Sequence, residues 1–380
     1  MRLLSLGATA AFIFAACSSG GGAGATSAPS AAPSESAAAS ESAGASPSSS
    51  GGAGGSKNWI ACVAFDTGGL GDKGFNDLAK KGLEDAQAQG FTTFYAEAQG
   101  ATDYAANIQR LIDQGCQSIV TVGFNQAQAT VDATKANPDI AFSQVDTTWD
   151  EKANGPTPPN FTGLSYQIDQ AAMLAGYLAA GFSKTGKIGT YGGQQFPGVT
   201  LFMDGLSAGI KYHNQEKGTD VKLFGWDAAS QKGTFVGGDN PWGDPAKGEQ
   251  LAKTLVDQGV DIVHPVAGAT GNGSIKYMLS KNLYAIGVDT DQAISLSEYA
   301  KAILTSAQKA IDVSVLDTFN KNQAGDLGGE NYVGTLENKG VLISPFHDFD
   351  SQIPADLKSE IDTLSGKISD GSVKVADYLK

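Results

Sequence analysis

Apolar and polar positions along the chain follow two rhythms. Short, nearly continuous apolar runs end at Gly, Asp or Asn, and between them lie longer stretches with helical spacing. The runs read as strands buried on both faces, the stretches as helices packed over them. Trp59–Phe65 is the first strand, and a helix over Asp77–Gln89 follows, stopped by Gly90. Strands at Phe91–Ala96, Ser118–Val122, Ile140–Val145 and Phe161–Tyr166 alternate with helices at Tyr104–Gln114 and Asn125–Ala136. A long apolar helix, Ala171–Phe182, leads into a second set. Its strands are Lys187–Tyr191, Val221–Trp226, Ile262–Pro265 and Tyr284–Val288; its helices are Val199–Asn214, Pro245–Gln258 and Gly273–Ser280. A short run Ala302–Thr305, a helix Ala307–Phe319, polar strands around Asn331–Leu336 and a helix Ile353–Ser369 complete the chain.

Repeated strand–helix–strand units make parallel sheets with helices on both faces. The pattern therefore predicts an α/β fold of two doubly wound parallel-sheet lobes with a cleft between them, joined near 147–160. Lobe 1 is expected over 58–165 plus about 293–322, and lobe 2 over 166–292 plus about 323–380. Such a pair of lobes is built to close on a ligand by a hinge.

The first 57 residues are different. Residues 1–16 carry Arg2 and an apolar run from Leu3 to Ala16, followed by Cys17. The run is shorter than the roughly 20 residues a bilayer-spanning helix needs. It reads as a secretory signal, with Cys17 as the lipidated first residue of a lipoprotein. An ordinary signal peptide with an incidental Cys is the alternative, and Phe14 at the usual Leu position is a departure from the lipoprotein pattern. Residues 17–57, almost wholly Ser, Ala, Gly and Pro after the Cys, have nothing with which to build a core. They are expected to be a disordered tether spanning about 35 Å.

Charge and cysteine content narrow the options. A formal charge of −14 without any basic cluster argues against a nucleic-acid partner. An extracytoplasmic site permits a Cys62–Cys116 disulfide. Two buried free thiols are the reading preferred from sequence.

Two motifs mislead. Gly69-Leu-Gly71-Asp-Lys-Gly74 follows a strand and matches the dinucleotide pattern, yet Asp66 and Asp72 flank its glycines and would repel a pyrophosphate. Gly205-Leu-Ser207-Ala-Gly209 matches a hydrolase elbow but lies inside a helical pattern instead of following a strand. His213, His264 and His347 show no metal spacing. No nucleophile–base set, cofactor site or metal site emerges, so an enzyme is disfavoured.

Polar and aromatic residues gather instead where strands end. Asp66, Asp72, Phe75 and Asn76 occupy the first loop; Asp146 and Asp289 end two later strands. Trp242 precedes a helix, Gly268 opens a Gly-rich turn, and Lys309 is expected at the start of a helix. Carboxylates accept hydrogen bonds from vicinal hydroxyls, and aromatic faces stack on flat rings. The mixture suits a ligand with a flat ring and a polyol.

At this point a resemblance adds detail. Asp66-Thr-Gly-Gly-Leu-Gly-Asp-Lys-Gly-Phe-Asn76 resembles the opening motif of the BMP family, the PnrA-like substrate-binding lipoproteins of nucleoside ABC importers. Leu174–Ala180, Thr185–Gly189, Asp244-Pro-Ala-Lys-Gly248, Thr270-Gly-Asn-Gly273, Ile286–Gln292 and Pro345–Phe349 resemble it in order. The resemblance implies a type I periplasmic-binding-protein fold. It implies a purine nucleoside held between Phe75 and Trp242, with Trp242 standing where the family commonly has Phe. It also implies polar contacts from Asp66, Asn76, Asp146, Gly268, Asp289 and Lys309. The expected partners are that nucleoside, an ABC permease in the membrane and a lipid anchor at Cys17, with the chain a monomer. A receptor for a sugar or other small polar ligand, a ligand-binding sensor and an exported dinucleotide-dependent enzyme are the rivals.

Overall fold

The computed structural model describes residues 58–380. The signal, Cys17 and the tether lie outside the described residues. Within them, the first set of elements is β1 (Ile60–Phe65), α1 (Phe75–Ala88), β2 (Thr92–Glu97), α2 (Tyr104–Asp113), β3 (Ser118–Val122), α3 (Ala127–Ala136), β4 (Ala141–Val145), α4 (Glu151–Asn154) and β5 (Phe161–Tyr166). The second set is α5 (Ile168–Phe182), β6 (Lys187–Gly192), α6 (Pro197–Lys217), β7 (Lys222–Phe224), β8 (Trp226–Asp227), β9 (Lys232–Gly233), α7 (Pro245–Asp257), β10 (Ile262–Val266), α8 (Gly268–Ser280), β11 (Tyr284–Asp289) and α9 (Gln292–Ser295). Then come β12 (Ile303–Lys309), α10 (Ile311–Gln323), β13 (Tyr332–Gly334), β14 (Val341–Ile343) and α11 (Ala355–Ser369).

The strands form two six-stranded sheets, ordered β13-β5-β4-β3-β1-β2 and β14-β12-β11-β10-β6-β7. Every pairing in the first sheet is parallel. In the second, only β14 runs antiparallel, against β12. The central strands are covered on both faces: every residue of β3, β4 and β10 is buried. This is why they read as unbroken apolar runs and not as alternating ones. In the second lobe the apolar helix α5 is packed on most of its surface, chiefly by α6, and anchors that lobe's core.

Three expectations need correction. Residues 303–309 form one buried strand of the second sheet, so the helix expected from Ala307 begins at Ile311. Ala307, Gln308 and Lys309 favour helix locally, but the slot between β11 and β14 imposes strand pairing. Lys309 therefore ends a strand. The lobe boundaries shift with it: β12, expected in lobe 1, belongs to the second sheet, and β13, expected with lobe 2, edges the first. The chain thus passes between the lobes at 166–168, 309–311 and 334–341. These crossings are bonded together, Gln167 N to Gly334 O at 2.8 Å and Ala310 N to Gly340 O at 3.0 Å. Finally, Cys62 and Cys116 are joined in a disulfide, not free. Cys62 lies on β1 and Cys116 just before its neighbour β3; that spatial adjacency, with Cα atoms 6.0 Å apart, is set by sheet order and not by spacing along the chain.

The bridge closes a separation of 54 residues. The chain-entropy relation gives about 4 kcal/mol for a loop of that size. A Cys62→Ser/Cys116→Ser variant should lose roughly that amount in denaturant unfolding; a loss under about 1 kcal/mol would contradict the assignment.

Candidate functional site

Both sheets point their carboxyl ends at one cleft, of about 590 Å³ with its open mouth included. In open α/β sheets this is where ligands sit, beside the point where strand order reverses. That reversal falls between β1 and β3 in the first sheet and between β6 and β10 in the second. Asp66, Phe75, Asn76, Asp146, Trp242, Gly268, Asp289 and Lys309 all line this cleft.

The loop after β1 is wound around carboxylates. Asp72 accepts from the N–H groups of Gly74 at 2.9 Å, Asn76 at 2.8 Å and Asp77 at 3.2 Å. Asp77 accepts from Gly71 N at 2.7 Å and Lys73 N at 3.1 Å. The amides that a dinucleotide loop offers to phosphate are thus already engaged by acids of the same loop. Asp66 accepts from Gly68 N at 2.9 Å and from Asn76 Nδ2 at 3.1 Å. Gly123 takes φ +93°, and a Cβ there would collide with the Asp66 carboxylate. That position therefore calls for glycine twice over.

The one ammonium among the described residues lining the cleft is that of Lys309. Its ammonium donates to Asp146 Oδ2 at 2.6 Å and to Gly198 O at 3.5 Å, and lies 3.7 Å from Asp289 Oδ1. The Lys309 and Asp146 side chains are only 2 % and 7 % exposed. Phe75, Tyr166 and Phe202 surround the charge, with ring centroids 5.3, 5.8 and 5.0 Å from Nζ. Both aspartates have left-handed backbone, φ +61° at Asp146 and +63° at Asp289. Asp tolerates that region better than most residues, but the strain is real and typical of functional positions.

Burial dominates the acid–base behaviour. Desolvation pushes Asp66 up to about 6, against the pull of its bonds to Asn76 and Gly68. It pushes Asp289 up to about 7, with Lys309 pulling down and Asp146 and Asp72 pushing further up. Asp146 is also raised by burial, while Lys309 draws it back. Three polar atoms in the cleft residues are buried without a protein hydrogen bond: Asn76 Oδ1, Asp289 Oδ1, whose nearest cation is Lys309 at 3.7 Å, and Trp242 Nε1. Such atoms are uncommon in folded proteins, and in this cleft they are two acceptors and one donor.

The aromatic lining is richer than the sequence reading held. Phe124 follows β3 and Phe196 follows β6; their rings stack across the lobes with centroids 3.6 Å apart, and Trp242 meets Phe196 edge-on at 6.0 Å. Phe202 also lines the cleft. Phe124 and Phe196 each stand a few residues past a strand end, the same kind of position as Asp146, and that placement is legible in the sequence. Trp242 is held by its backbone, its carbonyl accepting from Thr270 N at 2.9 Å. Gly268 opens α8 at φ +53°, five residues earlier than the expected helix start.

The misleading motifs resolve as helix and core. Ser207 is buried within α6 and His264 is wholly buried, its Nδ1 against Ile286 O at 3.1 Å. Among the described residues no group of three or more His, Cys, Asp or Glu is placed to hold a metal ion, and no helix is long and apolar enough to cross a membrane.

Two outcomes follow from these charges. Asp66 and Asp289 have raised values in the folded state, so between their unfolded value of 3.8 and about 6 or 7 the folded protein holds protons that the unfolded chain has lost. Stability of the unliganded protein should therefore fall as pH rises from about 4 to about 7 and level off above. Calorimetric melts of wild type and Asp289→Asn check this: the variant should show a shallower slope between pH 5 and 7. Replacing Lys309 by Met leaves two buried aspartates uncompensated and should lower unfolding free energy at pH 7.5 by about 3–5 kcal/mol.

Residues 60–377 match the family described as ABC transporter substrate-binding protein PnrA-like (Bmp). Basic membrane protein A2 of Borrelia garinii subsp. bavariensis is 30% identical over 304 residues, covering 79% of this chain and 83% of that protein. The ABC transporter nucleoside-binding protein BmpA of Lactococcus lactis subsp. cremoris is 28% identical over 332 residues, 81% of this chain and 88% of that one. A crystal structure of an ABC transporter solute-binding protein from Aeropyrum pernix K1 matches with a TM-score of 0.74 at 23% identity, over 83% of this chain and 92% of that one. That likeness shows the fold, the type I periplasmic-binding-protein arrangement of two lobes about a cleft. The chain belongs to the PnrA-like family of ABC transporter substrate-binding proteins.

Proposed function

We propose that this substrate-binding protein captures a purine nucleoside in the cleft and delivers it to its ABC permease, performing no chemistry itself. It does so as a monomer tethered through lipidated Cys17 to the outer face of the cell membrane. The observation that carries the ligand reading is the balance of groups in the cleft. Asp66, Asp72, Asp146 and Asp289 face one ammonium, Lys309, which is already bonded to Asp146, while much of the remaining wall is aromatic. Phosphates would meet net repulsion. A neutral ligand with a flat ring and hydroxyl donors meets acceptors and stacking surfaces instead.

In this reading Phe75 and Trp242 flank the base, Asn76 and Asp66 bond its edge, and Gly268 lets the backbone approach it. Asp289, with an unpartnered Oδ1, takes the ribose hydroxyls, and Lys309 with Asp146 supports that end. The nucleoside-binding relative from Lactococcus lactis supports the same ligand class.

A thermal-shift panel tests this. Inosine, adenosine or guanosine should raise the melting temperature, whereas pentoses and NAD should not. A shift with a pentose and none with any nucleoside would overturn the ligand assignment. Asp289→Ala should weaken nucleosides roughly 10- to 100-fold, the worth of a hydrogen bond to a charged group, and free bases far less. Equal losses would remove Asp289 from the ribose.

A further inference from the structure

Two side chains of the second lobe grip the first loop without lining the cleft. Asn272 on α8 donates from Nδ2 to Asp72 O at 3.2 Å, and Ser295 on α9 donates from Oγ to Lys73 O at 2.8 Å. Neither residue borders the ligand space.

The donors are held in place from behind. Asn272 Oδ1 accepts from Gln292 Nε2 at 3.3 Å, which fixes the amide with its NH₂ toward the loop. Gln292, 2 % exposed, is itself tied down: its Oε1 accepts from Val288 N at 3.0 Å and its backbone N donates to Ser306 Oγ at 3.1 Å. Val288 is the residue before Asp289, so a continuous run of bonds leads from the strand-end aspartate to the opposite lobe.

The acceptors are equally fixed. Lys73 sits at φ +60°, held by its N–H bond to Asp77, and Asp72 is pinned by the N–H groups of the first turn of α1. Consecutive carbonyls are thus offered to the second lobe by the loop that carries Phe75 and Asn76.

We propose that Asn272 and Ser295 form a closing latch, positioning residues that hold the lobes together over the ligand and set how slowly it leaves. The proposal rests on the cleft being the ligand site. Separating the lobes breaks both bonds and leaves all four groups in water. The latch therefore acts on the closed state, and its loss is expressed in release more than in association.

The test has one arm that needs no ligand. Spin labels at Gln109→Cys and Lys253→Cys, on the exposed faces of α2 and α7, report the distance between lobes. Asn272→Ala/Ser295→Ala should move the unliganded population toward longer distances. In stopped-flow fluorescence with guanosine or inosine, the same variant should release the ligand about tenfold faster, as expected for two lost neutral hydrogen bonds, with the association rate within about twofold of wild type. Ser295→Thr, which keeps the hydroxyl, should restore most of the Ser295 share. An unchanged distance distribution together with an unchanged off-rate overturns the latch. Were no nucleoside to bind, the ligand reading would fall, and the distance arm alone would decide: a distribution that the two alanines leave unaltered overturns the latch.

Discussion

A buried ammonium holds the cleft together. Lys309 is the last residue of β12, one step before the chain crosses into the other lobe, and its partner Asp146 directly follows β4 of that lobe. A charge removed from water is tolerable only when it is paired and hydrogen-bonded, so the two sheet ends are obliged to meet at this point. The three crossings, bonded to one another beside it, make the same region the pivot of the lobes. The charge pair and the three crossings therefore share one region between the lobes.

The same pairing leaves a deficit. Lys309 satisfies Asp146 at 2.6 Å but stands 3.7 Å from Asp289, attracting it without a hydrogen bond. Burial raises Asp289 to about 7, with Lys309 drawing it only partway back, and its Oδ1 has no protein hydrogen-bond donor within 3.5 Å, on a backbone in the left-handed region. Strain plus an orphaned acceptor is a poor bargain for folding alone. The proposed ligand would supply the missing donor.

Closure is distributed around this pivot. The Phe124–Phe196 stack joins the lobes at one part of the cleft wall, and the bonds from Asn272 and Ser295 join them at the first loop. These contacts are individually modest, unlike the buried pair.

Periodicity and turn residues are enough to specify two sets of alternating strands and helices, and polar and aromatic residues at element ends, together with the family resemblance, single out eight residues that the fold brings to one cleft. They are enough because buried parallel strands are unbroken apolar runs and their carboxyl ends carry the ligand chemistry whatever the details of packing. Three things are invisible at that level. Lys309 reads as a helix residue because Ala307-Gln308-Lys309 favours helix, and only the vacancy between β11 and β14 makes it a strand end. The Cys62–Cys116 bridge depends on β3 lying beside β1, a matter of sheet order. The Phe124–Phe196 stack and the Asn272 and Ser295 bonds join residues 72 or more positions apart across two lobes, and such contacts exist only once the lobes are folded and facing each other.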